Sequence, residues 1–470
     1  MTNVLFILVD ALRATSLGCY GYPRTTSPNI DALAQRSVLF EQAFCTVNAT
    51  DPSLTTILSG LFPRTHGILH HGDQISAREL ACFEQRRIML LPELLQEQGY
   101  RTYGLDWLGR WHRRGYDYYA GFNVDRTGRK KLLKRIRELA KRVGAYRMLK
   151  KIYYLPMLRS VIGKFDLYNE DATLTRQAAD IIRREERPFF LFIHYWGLHA
   201  PYNCPPASVR ELSRVASPVK APSMDKSFAQ IRNAKYRAFY QQWTRDQKSF
   251  DDIITRHDGA IRQIDEQIGL LLDALRSSGK LDDTVIVLTS DHGESLVEHN
   301  ILFDHHGLYD ASVRVPLLIA APGMGEKRVP ALVQHPDIVP TVLALLGIET
   351  PLALDGNNLL PIISGRAAEV HDAVVIEENY YEQKECVRTL QHKLIRALSG
   401  ECTRCGIMHG SALELYDLQQ DPAEERNIAE SMPKLVERLL ARLERHRSSS
   451  SAAHVRETEL LQKAIGELGL

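Results

Sequence analysis

The chain alternates between short, wholly apolar runs and longer segments in which apolar residues recur at helical spacing. Apolar runs without alternating polar positions are typical of parallel strands that are buried on both faces. Four such runs predict strands at residues 3–9, 100–105, 189–195 and 284–289. The segments between them predict helices at residues 91–98, 171–184 and 258–275. This alternation predicts an α/β fold with a mainly parallel sheet sandwiched by helices.

The pattern changes after Pro351. Short strand-like pieces follow at residues 374–376, 386–390 and 413–416, and a charged helical segment begins near Pro433. Because 470 residues are too many for one ordinary core, we expect two units. The prediction is a catalytic domain over residues 1–350 and a small C-terminal α+β subdomain with a helical tail over residues 351–470.

Composition narrows the class of protein. Hydrophobic residues make up 44% of the chain and charged residues 25%, and the formal net charge is +2. These values are ordinary for a globular protein and give no reason to expect a nucleic-acid partner. The seven cysteines are scattered and odd in number, which argues against a disulfide framework. Because Asp10 interrupts the first apolar run and no later run is long enough to span a bilayer, we expect a cytoplasmic protein.

One segment departs from the balanced charge. Residues 126–164 contain fourteen Lys and Arg residues against a single acid, Glu138, and their apolar positions fall at helical spacing. The simplest interpretation is a solvated amphipathic helix packed on the domain. The alternative is contact with a membrane surface or an anionic substrate. No pattern indicates an oligomeric state.

Polar residues with metal-binding chemistry follow two of the predicted strands. Asp10 ends the run 3–9, and Asp291 and His292 lie in a Ser-Asp-His-Gly turn directly after the run 284–289. Ligands of open α/β sheets bind at the carboxyl ends of the strands. Asp10 alone could equally cap a helix, whereas the turn offers two good ligands where the backbone bends.

Thr50 provides a candidate nucleophile. It precedes Pro52 and Ser53 at the predicted start of a helix through residues 55–58. A helix N-terminus favours an anionic group, and a divalent cation next to a hydroxyl lowers its pKa and makes it nucleophilic. The alternative role for Thr50 or Ser53 is a helix cap, which does not exclude catalysis.

Histidines are concentrated in two loops that follow strands. His194 and His199 lie in one loop, and His299, His305 and His306 lie in the other. This concentration favours metal ligation or proton transfer. Spacing alone does not decide between His305 and His306.

Cys402 and Cys405 have the spacing of a zinc knuckle. A closed zinc site needs four ligands, and neither a second such pair nor a nearby histidine pair is evident in the sequence. We therefore interpret the two residues as reduced surface thiols.

Six segments resemble sulfatase-type enzymes, in the expected order and over nearly the whole chain. They are NVLFILVDALRATSLGCYGYPRTTSPNIDALA, NATDPSLTTILSGLFPRTHG, HYWGLHAPY, VIVLTSDHGESLVEHN, HHGLYDASVRVPLLIAAPG and LYDLQQDPAEERNIA. The resemblance implies an alkaline-phosphatase-like α/β core that hydrolyses sulfate or phosphate esters with a divalent metal. The substrate it implies is a small-molecule or lipid-linked anionic ester.

The resemblance also implies a role for each matching residue. The metal ligands would be Asp10, Asp291, His292 and Thr50, and Thr50 would also be the nucleophile. His199 would bind the anionic group or protonate the leaving group. His305 stands where many sulfatases have a lysine, with His306 as the alternative, and His194 would lie on the substrate side.

Several positions depart from the sulfatase pattern. Thr50 replaces the Cys or Ser that becomes formylglycine, and Leu54 replaces an Arg. Threonine cannot form that aldehyde, because its β-carbon carries a methyl group. The main hypothesis is therefore a hydrolase or transferase of phosphate mono- or diesters. The alternatives are a sulfatase without formylglycine and a non-catalytic protein that binds a metal or an anion.

Two further departures concern the metal. Ala11 replaces a second aspartate, and Gly197 lies in a loop that often contains Asp-Pro-His. Fewer carboxylates beside retained histidines favour Mn²⁺ or Zn²⁺ over Ca²⁺ or Mg²⁺. One or two ions per chain are expected.

Overall fold

The computed structural model describes residues 1–121, 167–202 and 204–448. The basic segment 126–164 lies outside these residues, and its amphipathic helix stays a prediction. Among the described residues, no helix is both long and apolar enough to cross a membrane.

The larger of the two sheets has eight strands in the order β4-β3-β5-β1-β6-β7-β2-β8. Only β7 runs antiparallel to its neighbours, so the predicted mainly parallel sheet is confirmed. The strand bounds are β1 Asn3–Val9, β2 Val38–Phe44, β3 Arg101–Leu105, β4 Tyr118–Ala120, β5 Phe189–Tyr195, β6 Thr284–Thr289, β7 Leu317–Ala320 and β8 Lys327–Gln334.

Helices surround this sheet and also form the C-terminal segment. Their bounds are α1 Pro28–Ala34, α2 Thr50–Ser59, α3 Pro63–His66, α4 Ala77–Gln85, α5 Leu91–Glu97, α6 Leu167–Arg184, α7 Pro206–Leu212, α8 Met224–Gln230, α9 Ala234–Trp243, α10 Phe250–Ser277, α11 Asp310–Val313, α12 Ile338–Leu345, α13 Leu360–Ile363 and α14 433–448.

The central strand β1 shows why its sequence carries no polar alternation. Side chains of a strand point alternately to opposite faces, and both faces of β1 are covered. Phe6 packs in the core on one face, and Leu5 and Ile7 pack in the core on the other. All seven residues of β1 are buried. A helical layer on each side therefore requires a continuous apolar run.

The smaller sheet is antiparallel and has the order β12-β11-β10-β9. Its strands are β9 Val374–Glu378, β10 Lys384–Arg388, β11 His392–Ala397 and β12 Leu413–Asp417. The sequence did not predict β11, because its apolar stretch is only two or three residues long and only pairing with β10 and β12 reveals it. The domain boundary at residue 350 stays a prediction.

Candidate active site

The carboxyl ends of β1 and β6 bring the first site residues together. The two strands pair in parallel, with Leu8 opposite Thr289, so Asp10 and Asp291 follow them at the same edge of the sheet. The Ala11 amide donates a hydrogen bond to Asp291 Oδ1 at 3.2 Å. Ala11 has φ of 60°, a conformation that is uncommon outside glycine and that marks a constrained turn.

Asp10, Asp291 and His292 form a cluster with the properties of a cation site. One potential ligand atom from each residue lies within 4.8 Å of the other two, and all three side chains are buried. Both oxygens of Asp10 and Oδ2 of Asp291 lack a hydrogen-bond donor of good geometry. Burial and the repulsion of Asp10 raise the pKa of Asp291 to about 8. A divalent cation between the carboxylates would remove this repulsion, so the residues fit a metal.

The hydrogen bond of His292 leaves its second nitrogen available for a metal. Nδ1 lies 2.9 Å from the carbonyl oxygen of Gly293 and must donate to it. Burial and the neighbouring His305 hold the pKa of His292 well below its usual value, so the ring is neutral. Nε2 therefore carries a lone pair, and it lies 3.6 Å from Asp10 Oδ1 and 3.4 Å from Asp291 Oδ2. Such orientation by a carbonyl is typical of metal-ligating histidines.

Thr50 is the first residue of α2 and faces this cluster. Its Oγ1 lies 3.5 Å from His292 Nε2. One turn further along, Ser53 Oγ donates a hydrogen bond to the carbonyl oxygen of Asp291 at 2.6 Å. This bond ties the start of α2 to the turn after β6. The predicted nucleophile and the predicted metal ligands are thus side by side, although α2 follows β2 rather than β1 or β6.

His194 lies near the end of β5, and His199 lies in the loop that follows β5. Both side chains lie close to Asp10. His199 Nε2 lies 3.1 Å from Asp10 Oδ1. Burial disfavours a charged His199, but the Asp10 carboxylate outweighs burial and raises the pKa of His199 to about 9. His194 Nε2 lies 3.7 Å from Asp10 Oδ2, and its Nδ1 lies 2.8 Å from Asp106 Oδ1. The sequence pattern did not indicate Asp106, which follows β3 and orients His194.

His305 lies beside His292, on the side of the segment that leads into Thr50. The two imidazole rings stack with centroids 4.2 Å apart. His305 Nδ1 donates to the carbonyl oxygen of Asn48 at 2.5 Å. Burial lowers the pKa of His305 to about 4, although Asp304 opposes this shift. His305 is thus a neutral imidazole, and it is held by Asn48, which lies two residues before Thr50 in the chain.

A cavity of about 210 Å³ opens over this cluster. Thr50, His199 and His305 are among the residues that line it. Sequence reasoning missed most of its remaining wall, because these residues come from separate loops and helices and have no common spacing. They include Trp107, Trp196, Trp243, Tyr380, Tyr381 and Arg404.

His306 and His299 pack against other residues than those of the cluster beside Thr50. His306 is buried with Cys402, Cys405 and His409, and His299 stacks on Tyr309 with ring centroids 3.5 Å apart. Cys402 and Cys405 are 0% and 4% exposed, so the interpretation as surface thiols is wrong. The spacing of His409, four residues after Cys405, was the sequence signal that could have corrected it.

The fold and the buried carboxylate and histidine cluster together define an ester hydrolase of the sulfatase and alkaline phosphatase superfamily. The chain belongs to the sulfatase family, because the sequence profile of that family, described as Sulfatase, matches residues 2–348. A second profile, described as N-sulphoglucosamine sulphohydrolase, C-terminal, matches residues 297–449.

Individual relatives are distant but match over most of their length. The chain is 24% identical to an ulvan-active sulfatase of Formosa agariphila over 91% of this chain and 76% of the relative. It is 26% identical to a multifunctional alkaline phosphatase superfamily protein of Trinickia caryophylli over 91% of each chain. Among solved structures, a phosphonate monoester hydrolase of Agrobacterium radiobacter superposes with a TM-score of 0.72 at 21% identity, covering 97% of this chain and 96% of that one.

Proposed function

We propose that the protein hydrolyses sulfate esters of small molecules at the site formed by Asp10, Thr50, Asp291 and His292. The observation that carries the proposal is the position of Thr50 Oγ1, 3.5 Å from His292 Nε2 and next to buried carboxylate oxygens that lack donors. Membership of the sulfatase family and the ulvan-active relative support the sulfate ester over the phosphate ester as substrate. The phosphate-ester hypothesis, which the sequence favoured, therefore becomes the second candidate.

Asp10, Asp291 and His292 would hold the divalent ion, and Thr50 Oγ1 would complete the set. A bound ion supplies Lewis-acid polarisation of the ester and lowers the pKa of a nearby hydroxyl. Carboxylates and an imidazole suit Mn²⁺ or Zn²⁺, with Ca²⁺ or Mg²⁺ as the alternatives, and the identity of the ion stays a prediction.

Two side chains have defined tasks in the proposed reaction. Thr50 Oγ1 loses its proton to solvent and attacks the sulfur, the bond between the sulfur and the alcohol oxygen breaks, and protonated His199 gives a proton to that departing oxygen. Water then cleaves the ester formed on Thr50 and restores the hydroxyl. His199 lines the same cavity as Thr50, which places it to donate this proton.

The cavity supports a substrate with a ring next to the anionic group. Trp107 and Trp196 line the cavity with ring centroids 4.5 Å apart and the rings tilted by 32°, and Tyr380 and Tyr381 line it as well. Aromatic faces of this kind pack against sugar or aryl rings. Arg404 adds a cation to the wall.

The second candidate is hydrolysis of phosphate or phosphonate monoesters through the same residues. Thr50 itself favours it, because an unmodified alcohol forms a phosphate ester that water can clear, whereas a sulfated threonine is harder to hydrolyse. The structural similarity to a phosphonate monoester hydrolase and the multifunctional relative support this candidate.

A parallel assay of aryl sulfate, aryl phosphate and aryl phosphonate monoesters with metal-loaded protein tests both candidates. We expect the highest kcat/KM on the aryl sulfate. Thr50→Val keeps the shape of the side chain but removes the hydroxyl, so kcat should fall on the order of 1000-fold or more. Thr50→Ser retains a hydroxyl and should keep measurable turnover.

Thr173→Val, on the exposed surface of α6, is the matched control and should behave like the unaltered protein. A higher kcat/KM on phosphate or phosphonate would transfer the proposal to the second candidate. Full activity of Thr50→Val, or no turnover on any of the three ester classes, would overturn both.

A further inference from the structure

A second group of metal-binding side chains lies outside the proposed catalytic cluster. One ligand atom each from His306, Cys402, Cys405 and His409 lies within 4.8 Å of the other three. His306 Nε2 is 3.1 Å from His409 Nε2 and 3.7 Å from Cys405 Sγ. All four side chains are at most 4% exposed. Two imidazole nitrogens and two sulfurs therefore converge on one buried point.

The orientation of the two histidines is that of metal ligands. Each directs Nε2 to the common point, while its Nδ1 faces an oxygen on the other side of the ring. His409 Nδ1 lies 3.4 Å from the carbonyl oxygen of His299, and His306 Nδ1 lies 3.7 Å from Asp304 Oδ1. A ligating histidine usually has a carbonyl or carboxylate in this position, which sets the tautomer and the ring orientation.

The backbone around the cysteines forms a tight loop that aims both sulfurs inward. The Cys405 amide lies 3.4 Å from Cys402 Sγ and donates to it, and the Gly406 amide donates to the Cys402 carbonyl at 2.8 Å. Gly406 has φ of 71°, which favours glycine. Both cysteines are free thiols.

We propose that Cys402, Cys405, His306 and His409 bind one zinc ion in a closed tetrahedral site. Two thiolates and two imidazoles are a donor set typical of structural Zn²⁺, and the four protein ligands leave no open position for a substrate. Binding releases the two thiol protons to solvent and leaves both sulfurs reduced, so no oxidant is required.

The proposed zinc site lies next to residues that line the cavity, so the ion would have a structural role there. His306 is next to His305 in the chain, and Arg404 lies between the two cysteines. Arg404 Nε pairs with Asp304 Oδ2 at 2.9 Å, and its guanidinium lies 4.7 Å from the ring centre of Tyr381. The ion would thus join the loop after β6 to the loop between β11 and β12 and would position His305 and Arg404.

Cobalt substitution of the full-length protein tests the site independently of activity. Because the catalytic cluster contains no sulfur, a thiolate-to-cobalt charge-transfer band in the near ultraviolet reports on the proposed site. We expect this band with apoprotein and Co²⁺, its loss when Zn²⁺ is added, and retention of about one zinc per chain at this site after mild dialysis against a chelator.

Variants separate the two metal clusters. Cys402→Ser and His409→Ala should each lose or strongly weaken the charge-transfer band and lower the bound zinc by about one ion per chain. Asp291→Asn should keep the band, and Cys82→Ser, a cysteine in α4 far from the cluster in sequence, is the matched thiol control. Because His409→Ala keeps both cysteines, it remains informative if Cys402→Ser does not fold.

Three results would overturn the proposal. The first is the absence of the charge-transfer band in folded, reduced wild-type protein loaded with Co²⁺. The second is a Cys402–Cys405 disulfide in freshly purified protein that binds no zinc after reduction. The third is an unchanged zinc content in a folded His409→Ala variant, which would exclude His409 as a ligand of the four-ligand site.

Discussion

At the scale of single residues, the supply of backbone hydrogen-bond donors separates Asp10 from a structural carboxylate, Asp265. Asp10 and Asp265 are both fully buried. Asp265 accepts hydrogen bonds from the backbone amides of Asn29 and Ile30 at 2.8 to 3.1 Å and so anchors the start of α1. Asp10 lacks such donors and faces histidines and a second carboxylate. Two buried carboxylates side by side repel each other, and Asp10 has no backbone donor to offset this repulsion, so the surroundings of Asp10 favour a bound cation.

Glu298 is a carboxylate whose charge stabilises the loop after β6. It pairs with Arg13 at 2.8 Å and accepts from the amides of Leu296 and Val297 at 2.7 and 3.0 Å. Burial opposes ionisation, but Arg13 and these amides outweigh it and lower the pKa of Glu298 to about 2. A lowered pKa stabilises the folded protein above the pKa of the unfolded state, about 4.3, and this contribution is lost as the pH falls toward 2.

We therefore expect Glu298→Gln to lower the free energy of unfolding at pH 7 by about 2 kcal/mol, after allowance for partial exposure of the side chain. The difference from wild type should narrow as the pH falls below about 4.3. Urea unfolding of both proteins from neutral to acidic pH measures this difference in the free energy of unfolding. Glu430→Gln, at an exposed position, is the control and should show no such pH dependence. A difference that stays constant over this range would contradict the charge-based explanation.

At the scale of elements, buried charges join α11 to the smaller sheet. Lys393 of β11 is fully buried and contacts Asp310 at 2.8 Å and Glu424 at 2.7 Å. Arg388 of β10 reaches Asp310 at 3.2 Å. The Asp310 amide donates to Glu424 Oε2 at 2.7 Å. Since α11 follows the loop that carries His305, this network connects the smaller sheet to the wall of the cavity at the proposed site.

Asp310→Asn should lower the free energy of unfolding by about 3 kcal/mol, because it leaves two buried cations with one carboxylate. Asp372→Asn is the matched control. Asp372 is 69% exposed and pairs with Arg442, and exposed pairs contribute at most about 1 kcal/mol. Chemical denaturation of both variants measures the contrast. If the two variants showed equal, small losses in the free energy of unfolding, the charge network would not stabilise the contact between α11 and the smaller sheet.

At the scale of the whole molecule, the two sheets share one hydrophobic core. Ile376 and Ile395 of the smaller sheet belong to the same buried cluster as Phe44 and Val333 of the larger sheet. A backbone hydrogen bond also joins β9 to the segment after β2, because the Glu377 amide donates to the Thr46 carbonyl at 2.9 Å. Two parts of a protein that share one continuous hydrophobic core do not separate easily from each other. We infer that the predicted C-terminal subdomain unfolds together with the rest.

A single unfolding transition is therefore expected. All four tryptophans precede residue 350, so their fluorescence reports on the larger part, whereas labelling of the buried thiol of Cys386 reports on β10. Both signals should change at the same denaturant concentration. Mass spectrometry of the labelled peptides distinguishes Cys386 from the other cysteines. Exposure of Cys386 well before the fluorescence changes would show that the two parts unfold separately.

The sequence by itself determined the elements whose chemistry is local. The runs at residues 3–9, 189–195 and 284–289 match β1, β5 and β6, because strands buried on both faces require continuous apolar residues. Asp10, Asp291 and His292 could be predicted as neighbours, since each closely follows such a strand, and the structure brings the three together. The resemblance to sulfatases, and hence the family, also followed from short contiguous motifs.

Only the tertiary structure decided which distant residues meet. Asp106 beside His194, and Arg404 at the cavity, come from segments with no shared spacing. The clearest case is His306, which lies 96 positions before Cys402 in the chain yet is buried with it in one cluster. Adjacent residues on an irregular loop can face opposite sides, so His305 and His306 belong to different clusters. The sequence contains both residues, but the path of the backbone decides what each one contacts.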